Sequence, residues 1–582
     1  MISYRIDLED VHAHLYRVTL RVPSPSAEQL VSLPAWIPGS YLVREFARHL
    51  SALAARQGGR EVPLEQIDKA TWRARCTGRT ALELSYRVYA FDTSVRAAFL
   101  GAGRGFFNGT SLCLRVHGRE AEPHALSLGK LPAGWQVATS MPRSARAGEF
   151  RAVDYDELVD HPFELGPFWR GRFEVAGVTH EFVVAGALPG FDGERLLADA
   201  RRICAAAVAF WHGPRATAAD LPFDRYVFLL HALEDGRGGL EHRASTALVA
   251  PRRDLPRSGA SESTDGYVNL LGLISHEYFH TWNVKRLRPA EFARFDYTQE
   301  NYTELLWFFE GFTSYYDDLL LRRAGLIDDA RYLRLLAKTV SAVLDTPGRQ
   351  VQSVAQASFD AWVKYYRSDE NTPNATISYY TKGSLVALAL DLSLRGGARA
   401  SLDRVMQRLW RQSGGGPIDE ADILAAVRAV AGPRRGAALA AALRGWVHGT
   451  DDLPLQTLLS DVAVRWQAQP PTLAQRWGLR VSESALTGVK VASVLRGGAA
   501  ERAGLAPGDE LLAVDDWRLR RLEEAAAVLP ASGRARLLVA RDQRVLTLAI
   551  AGGVAAGGAV QLLPEERPLA AAGRRRKAWL HG

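Results

Sequence analysis

Hydrophobic and polar positions alternate along the first part of the chain, as is typical of β-strands. The alternation is clear in LYRVTLRV (15–22) and LELSYRVYAF (82–91), and clusters of Gly, Pro, Asp and Ser separate such runs. The segment PAWIPGSY (34–41) contains two prolines and a glycine, which predicts a structured loop. No convincing helical period occurs here. We therefore predict a β-rich N-terminal domain, a sandwich or a saddle-like sheet, over residues 1–167.

The pattern changes near residue 168. Segment 173–188 predicts strands, segment 192–213 a helix, and RYVFLLHAL (225–233) a buried strand. Apolar residues at helical spacing then recur, and they predict helices over 270–287, 304–326, 381–394, 401–414 and 432–449. We expect one α+β domain that ends in a helical bundle, over residues 168–455.

The last part of the chain is shorter and again β-rich. QAQPPT (467–472) predicts a linker, and residues 473–555 predict a small domain. Within it, segment 488–519 reads as a strand, a glycine, a short helix, the string A-G-L-x-x-G-D and another strand. The Gly/Ala stretch 551–558 and a basic tail, 556–582, are expected to be poorly ordered. The fold class predicted for the whole chain is multidomain α+β.

Composition narrows the class of protein. The chain has 582 residues, 47% hydrophobic and 23% charged, which excludes a disordered, collagen-like or coiled-coil protein. The net charge is +8, from 72 basic and 64 acidic residues, and 64 of the basic residues are arginines spread along the sequence. The densest run, Arg574–Lys577, is short and terminal. We expect a solvated tail there and no nucleic-acid partner.

The sequence also predicts a compartment. No apolar run reaches the ~18 residues of a membrane-spanning helix, and MISYRIDLED lacks the pattern of a signal peptide. The three cysteines, Cys76, Cys113 and Cys204, lie far apart, without metal-type spacing. An odd number of widely spaced cysteines disfavours a disulfide framework. We expect a cytoplasmic protein with no membrane partner.

The strongest chemical motif is His276-Glu277-Tyr278-Phe279-His280, inside an apolar segment of helical period. Residues four apart lie on one face of a helix, so His276 and His280 can point at one metal ion. Glu277 is adjacent and can serve as the general base for a metal-bound water. The alternative is a pair of buried histidines beside a salt-bridged glutamate.

A catalytic zinc site needs a third protein ligand. Glu310 stands in the apolar stretch LLWFFEGF, where a lone carboxylate is costly to bury unless a cation binds it. Glu304 and Glu300 are alternatives in more polar surroundings. Asp317 follows Glu310 by two helical turns, so it is either a partner for a ligating histidine or an ordinary surface acid. No third histidine follows His280 at metzincin spacing.

Several long segments, in order, closely resemble the glycyl-aminopeptidase-type zinc peptidases of the gluzincin group that carry a C-terminal PDZ domain. They are HEYFHTWNVKRLRP (276–289), LLWFFEGFTSYYDDLLLRRAGL (305–326), PAWIPGSYLVREFARH (34–49), RGFFNGTSL (104–112), DYDELVDHPFELGPF (154–168), GGLEHRAST (238–246), SFDAWVKYYR (358–367) and SYYTKGSLVALALDL (378–392). The resemblance implies a β-rich N-terminal domain, a thermolysin-like catalytic domain and a PDZ domain. It also implies one Zn²⁺ per chain, bound by His276, His280 and Glu310.

The resemblance implies roles for further residues. Glu241 matches the carboxylate that holds the substrate's free α-amine, although it lies in LEH where related enzymes have MEN; the alternative is an ion pair with Arg243. Gly238 and Gly239 would let the backbone approach the peptide. Tyr380, with Tyr379 in reserve, matches the tyrosine that stabilises the oxyanion. Lys285 and Arg286 are expected to pair with Asp296, and the alternative is that they contact the substrate.

The predicted function is therefore a zinc aminopeptidase that acts on peptides with a free N-terminus, and the resemblance implies small first residues such as Gly or Ala. Two alternatives remain: an endopeptidase of the same fold, and a PDZ adaptor whose peptidase domain is inactive. A PDZ domain adds a peptide as an extra strand and captures its terminal carboxylate. Residues 479–481, after Gly478, are the candidate for that capture. The other interpretation is that this domain only packs on the enzyme.

Overall fold

The computed structural model describes residues 1–146, 148–396, 400–530, 533–553 and 558–582. The chain divides into two compact units. One contains residues 1–301 and 413–417, and the other contains residues 302–412 and 418–582.

The first unit begins with the predicted β-rich region. Its strands are β1 (Ile2–Asp10), β2 (Leu15–Val22), β3 (Glu28–Ser32), β4 (Leu50–Gln57), β5 (Arg60–Val62), β6 (Leu64–Gln66), β7 (Thr71–Arg75), β8 (Leu82–Tyr89), β9 (Ala98–Gly101), β10 (Arg104–Phe107), β11 (Arg115–Val116), β12 (His124–Leu128), β13 (Gln136–Ala138), β14 (Glu149–Ala152) and β15 (Phe163–Gly166). Short helical segments are a 3₁₀ turn (Phe46–His49), α1 (Gly109–Leu112) and α2 (Tyr155–Val159).

These strands form three sheets, in the orders β14-β12-β1-β2-β8-β4-β5, β13-β15-β10-β9 and β11-β3-β7-β6. Strand β2 alternates buried and more exposed side chains, as its sequence predicts, and it lies between β1 and β8 in antiparallel register. Its inward residues, among them Tyr16, Val18 and Leu20, join a core that all three sheets share. The β-rich N-terminal domain is confirmed.

The rest of the first unit is a mixed sheet with helices. Its strands are β16 (Trp169–Val175), β17 (Val178–Ala185), β18 (Arg225–Leu233), β19 (Gly238–Glu241) and β20 (Ser245–Pro251), in the order β16-β17-β18-β20-β19. Helices are α3 (Gly193–His212), α4 (Asp265–Phe279) and 3₁₀ turns at Ala218–Asp220, Arg252–Asp254 and Ala290–Phe292. Strands β17, β18 and β20 are parallel, whereas β19 is an antiparallel edge strand. Parallel strands are buried on both faces, which explains the continuous apolar run of β18.

Residues 302–460 are helical. The helices are α5 (Leu306–Phe309), α6 (Gly311–Arg323), α7 (Asp329–Leu344), α8 (Val354–Phe359), α9 (Thr372–Ala375), α10 (Thr381–Arg395), α11 (Leu402–Ser413), α12 (Glu420–Ala431), α13 (Gly436–His448) and α14 (Leu455–Ser460), with a 3₁₀ turn at Pro347–Gln350. The helices expected over 381–394, 401–414 and 432–449 are confirmed as α10, α11 and α13.

Two predicted helices differ in their limits. The helix expected over 270–287 begins earlier, capped by the Thr264 hydroxyl, which accepts from the Tyr267 amide, and it ends at Phe279. The helix expected over 304–326 is interrupted at Glu310, which separates α5 from α6. Gly311, next to the break, lies against the backbone of Gly383, where a Cβ would come within 2.6 Å of the Gly383 Cα. The close approach of α6 and α10 thus requires glycine at both positions.

The C-terminal elements are β21 (Val464–Ala468), α15 (Leu473–Trp477), β22 (Leu479–Ser484), β23 (Gly488–Val494), α16 (Ala499–Ala503), β24 (Glu510–Val514), β25 (Trp517–Arg518), a 3₁₀ turn (Leu522–Glu524), α17 (Ala525–Val528), β26 (Ala535–Arg541), β27 (Arg544–Ile550), β28 (Val560–Pro564) and α18 (Ala570–His581). Strands β22 to β27 form one sheet with its own apolar core, in the order β22-β23-β24-β26-β27, and β25 pairs with β24. Strand β22 is an edge of this sheet.

The expectation of a poorly ordered tail over 556–582 was wrong. Strand β28 pairs antiparallel with β21, which takes up the start of the expected linker, and the chain then ends in helix α18. Trp579 of α18 is fully buried, and its indole N–H donates to the Tyr315 hydroxyl at 2.9 Å. Of the Gly/Ala stretch 551–558, residues 554–557 lie outside the described residues. Within the described part of the chain, every helix is too short or too polar to cross a bilayer.

Candidate functional site

Helix α4 places the two predicted histidines as their spacing requires. The Nε2 atoms of His276 and His280 lie 3.0 Å apart, near the ~3.3 Å expected for two nitrogens on one tetrahedral zinc ion. His280 Nδ1 lies 2.7 Å from the carbonyl oxygen of Asn283. A proton on Nδ1 satisfies that carbonyl, and it leaves Nε2 as the basic nitrogen of His280. The two Nε2 atoms therefore suit a shared cation.

Glu310 occupies the break between α5 and α6, with 2% of its surface exposed. In the described part of the chain, one group of three side chains is arranged to hold a metal ion. It consists of His276, His280 and Glu310, whose ligand atoms all lie within 4.8 Å of one another. Glu304, by contrast, is exposed and Glu300 half-buried, and neither belongs to this group. Two imidazoles and one carboxylate are a donor set that fits zinc.

Glu277 lies beneath the edge strand β19 and is 5% exposed. A Cβ on Gly239 would come within 2.6 Å of the Glu277 Cγ, and closer still to its carboxylate. The other glycine, Gly238, has more space, since a Cβ there would be 3.4 Å from an Arg96 nitrogen. The Arg96 guanidinium also donates to the Gly239 carbonyl at 3.4 Å. Strand β19 is therefore adjacent to Glu277, and Gly239 makes that approach possible.

Glu241 ends the same strand and is 4% exposed. The loop predicted at 34–41 lies against it. Gly39 has φ of +93°, and a Cβ there would stand 2.6 Å from Oε1 and 2.7 Å from Oε2 of Glu241. The sequence predicted the loop but not this contact. Arg243, the alternative partner considered for Glu241, lies 3.9 Å from Asp160 and donates its amide to the same carboxylate.

The two tyrosines differ in environment. Tyr379 is fully buried, whereas Tyr380 is half-buried at the start of α10. The hydroxyls of Tyr380 and Tyr366 lie 3.2 Å apart. Burial, and then the negative charge of Glu310, raise the pKa of Tyr380 well above 10. Tyr380 therefore keeps its proton at any ordinary pH and can act as a donor. Tyr366 had no role assigned from the sequence.

Asp317 lies on α6, seven residues after Glu310, and is half-buried. One of its oxygens accepts from the Asp318 amide at 2.6 Å. Its predicted support of a metal-binding histidine stays a prediction.

Lys285 and Arg286 have structural partners, but not the expected one. The Lys285 ammonium lies 2.7 Å from Asp160, and both groups are buried. Arg286 donates to the carbonyl oxygens of Arg243, Thr281 and Pro222. The pairing with Asp296 was wrong, since that carboxylate accepts from Thr298 instead.

The chain is similar to known proteins along its whole length. Residues 3–167 match the Peptidase M61 N-terminal domain, residues 269–386 match the M61 glycyl aminopeptidase family, and residues 490–541 match the PDZ domain. A solved structure of an aminopeptidase N family protein from Idiomarina loihiensis is 35% identical, with a TM-score of 0.93 over 100% of both chains. An M1 zinc metallopeptidase from Deinococcus radiodurans is 18% identical, with a TM-score of 0.46 over 78% of this chain and 94% of that chain. A search of curated proteins gives no match.

Proposed function

This chain belongs to the M61 glycyl aminopeptidase family, and from that premise we propose that it is a zinc-dependent aminopeptidase built around His276, His280 and Glu310. One observation carries the proposal. The three ligand atoms lie within 4.8 Å of one another, and Glu310 is a carboxylate buried among aromatic side chains. A buried carboxylate without a cation is costly, and a zinc ion held by the three side chains removes that cost.

Zinc, when bound, lowers the pKa of a water molecule toward ~7 and polarises the peptide carbonyl. Glu277 accepts the proton of the attacking water and delivers it to the leaving amine. The Gly239 backbone holds the Glu277 carboxylate on one side, so the base is positioned before substrate arrives. The Tyr380 hydroxyl donates a hydrogen bond to the oxyanion. The hydroxyl of Tyr366 lies 3.2 Å from the Tyr380 hydroxyl, within hydrogen-bond distance of it.

Glu241 supplies the specificity for a free N-terminus. Its carboxylate is buried, and it is the group that would bind an α-ammonium through a charge-assisted hydrogen bond. Gly238 and Gly239, ahead of it on an edge strand, leave room for a peptide to run beside β19. Small first residues such as Gly or Ala follow from the family resemblance. Asp317 is proposed as a support for the metal-binding histidines.

The decisive experiment measures hydrolysis of a panel of aminoacyl chromogenic substrates, with and without chelator. Glu277→Gln should lose about 10²- to 10⁴-fold in kcat while it retains one zinc per chain. Glu310→Gln should lose zinc, whereas Glu304→Gln, an exposed glutamate six residues away, should keep both zinc and activity. A purified protein without near-stoichiometric zinc would contradict the proposal and favour an inactive adaptor.

A blocked substrate separates the exopeptidase from the endopeptidase. If Glu241 anchors the α-amine, N-acetylated peptides should be cleaved far more slowly than the free peptides, and Glu241→Gln should mainly raise KM for the free ones. Equal rates for blocked and free peptides would assign the chain to endopeptidases of the same fold.

We also propose that the PDZ domain binds a peptide by strand addition along β22. This strand is an edge of its sheet, which is the position that strand addition uses. The Arg480 side chain at its start donates to the Asp345 carbonyl and the Thr346 hydroxyl, at 3.4 and 3.0 Å. These contacts hold the start of the edge strand against residues 345 and 346, where they would compete with an added peptide strand. Arg480→Ala should therefore increase the affinity of the domain for C-terminal peptides, which fluorescence anisotropy measures. An absence of binding in both forms would leave the domain a packing role.

A further inference from the structure

A pocket of about 630 Å³ opens in the N-terminal β domain. Its walls come from residues 42–46 and 48–49, the end of β8, residues 91–93 and 97–98, and Ser111, and none of these is a candidate catalytic residue. Its volume is typical of sites that bind small ligands or short peptide segments.

The charge of this pocket leaves one exposed cation without a matching acid. Glu45 is paired with Lys69 at 2.6 Å, and the remaining acid, Asp92, accepts from the Ser94 amide. Arg48 donates to the ring of His49 and makes no ion pair with any acid in the described ranges. Burial, and then the charge of Arg48, lower the pKa of His49, so this imidazole adds no charge at neutral pH. Arg44 also lines the pocket, where it donates to the Ser40 hydroxyl. With Glu45 neutralised by Lys69, two arginines face one acid, Asp92, so the pocket suits a ligand with a single negative charge.

Two large aromatic side chains at the pocket are unusually exposed. Phe91 is 56% and Tyr89 is 42% exposed, although Tyr89 ends the well-packed strand β8 and Phe91 follows it. Phe91 stacks on Phe99 with ring centroids 5.4 Å apart, and Tyr89 lies near the ring of His49. These rings are held in place by their neighbours, so they offer apolar area at little entropic cost.

Ser111 completes the lining. It is 3% exposed, and among the described residues its hydroxyl oxygen has no hydrogen-bond partner. A buried hydroxyl without a partner costs free energy. A polar ligand group that reaches this side of the pocket would recover that cost.

The two loops that line the pocket also hold strand β19. The loop before Leu42 places Gly39 against Glu241, and the loop after Asp92 brings Arg96 to the Gly239 carbonyl. Whatever binds between these loops therefore contacts the segments that support the proposed amine-binding strand.

We propose that this pocket binds an acidic peptide segment, whose carboxylate pairs with Arg48 and whose neighbouring apolar side chain packs on Tyr89 and Phe91. Of the two arginines in the lining, Arg44 already donates to the Ser40 hydroxyl. Arg48, beside Asp92, therefore favours one carboxylate over a multiply charged phosphate group. This site goes beyond the proposed hydrolysis, because it uses none of the residues assigned to zinc, proton transfer or the α-amine. Its occupant is either the distal part of a substrate or a separate peptide.

Binding of acetyl-Phe-Asp-amide tests the proposal, with acetyl-Phe-Asn-amide as its matched probe. Both ends are blocked, so neither the amine site nor terminal-carboxylate capture by the PDZ domain contributes. In calorimetric titration of the zinc-loaded enzyme, the Asp peptide should bind at least fivefold more tightly than the Asn peptide. Chelation should leave that ratio unchanged, which separates this site from the metal and from any failure of the proposed activity.

Two variants locate the binding. Arg48→Gln should abolish the preference for Asp, and Thr93→Trp, at an exposed position of the lining, should weaken both peptides by narrowing the pocket. Arg79→Gln, an exposed arginine outside the pocket, should change nothing. Equal affinity for the two peptides, or an undiminished preference in Arg48→Gln, would overturn the proposal.

Kinetics then identifies the source of the peptide. If the pocket holds the distal part of a substrate, Arg48→Gln should raise KM at least fivefold for a peptide substrate with an internal Asp and leave its Asn counterpart unchanged. If it holds a separate peptide, KM should be unchanged for both substrates while the blocked peptide still distinguishes the wild-type enzyme from the variant. Either result supports the site.

Discussion

The backbone of Gly239 lies directly against the carboxylate of Glu277. A Cβ on this glycine would stand within 2.6 Å of the Glu277 Cγ and nearer to the carboxylate itself. The strand proposed to bind the peptide and the proposed general base are thus packed together, with no space for even a methyl group. This relationship makes the position of Glu277 dependent on one glycine.

Gly239→Ala should therefore displace the Glu277 carboxylate and lower kcat by about 10²-fold, because a shift of about 1 Å in a catalytic group has effects of that size. Gly238→Ala is the matched control, since its Cβ would meet nothing nearer than 3.4 Å. The test measures kcat of both variants, with zinc content and melting temperature determined in parallel. Equal kcat in the two variants would argue against the positioning role.

Gly39→Ala should mainly raise KM for substrates with a free N-terminus, because the new methyl group would press on the Glu241 carboxylate at 2.6 Å. It also introduces backbone strain, since Gly39 has φ of +93°. Gly59→Ala carries similar strain at φ of +80° with no neighbour within 4 Å, so it controls for stability alone. A KM change shared by both variants would remove the specific link to Glu241.

Tyr380→Phe should lower kcat by about 10²- to 10³-fold with little change in zinc affinity, as expected for loss of one donor to an oxyanion. Tyr366→Phe should have a smaller effect, since it removes only the partner of Tyr380. Because burial raises the pKa of Tyr380 well above 10, its proton is retained below pH 10. Any loss of activity between pH 8 and 10 should therefore be the same in Tyr366→Phe and in the wild-type enzyme. If activity in Tyr366→Phe fell at a different alkaline pH than in the wild-type enzyme, that shift would contradict the conclusion that Tyr380 keeps its proton.

Asp160→Asn should destabilise the protein by about 3–5 kcal/mol, because it leaves the buried Lys285 ammonium without its partner. Asp7→Asn, at an exposed ion pair with Arg5, should cost less than about 1 kcal/mol. Chemical denaturation measures both.

The same carboxylate predicts a pH dependence of stability. Burial alone would raise the pKa of Asp160, but the charge of Lys285 and the hydrogen bond and charge of His242 hold it well below 3.8. A carboxylate with a depressed pKa stabilises the folded state at pH values above its pKa in the unfolded chain. This stabilisation is lost progressively as the pH falls from that value toward the pKa in the folded state. The difference in stability between wild type and Asp160→Asn should thus shrink on acidification below about pH 4. A difference in unfolding free energy between the two proteins that stayed constant down to pH 2 would contradict the depressed pKa of Asp160.

Trp579→Ala should destabilise the protein by about 3–5 kcal/mol, since it empties a fully buried site and removes the donor to Tyr315. Lys577→Ala, exposed on the same helix, should be neutral. Thermal unfolding of both variants checks the conclusion that α18 is part of the fold. Equal melting temperatures for Trp579→Ala and Lys577→Ala would indicate that the C-terminal segment is not needed for the stability of the fold.

The sequence by itself determined the local elements and the candidate metal-binding motif. Alternation predicted β2 and β8, and helical spacing predicted α3, α10 and α13, because these signals depend on residues a few positions apart. The His276–His280 pair is local for the same reason. Glu310 was predictable from the cost of a lone carboxylate in an apolar run, and the family from long matching segments.

Tertiary structure decided what depends on residues far apart in the chain. The contacts of Gly39 with Glu241, Gly239 with Glu277 and Asp160 with Lys285 join segments with no shared periodicity, so no pattern could pair them. The tail was misjudged because charge and small residues dominate its sequence, whereas one tryptophan, Trp579, fixes it in a core. The break at Glu310 lies beside the contact of Gly311 with Gly383 of α10, a long-range contact that a continuous helical period does not reveal.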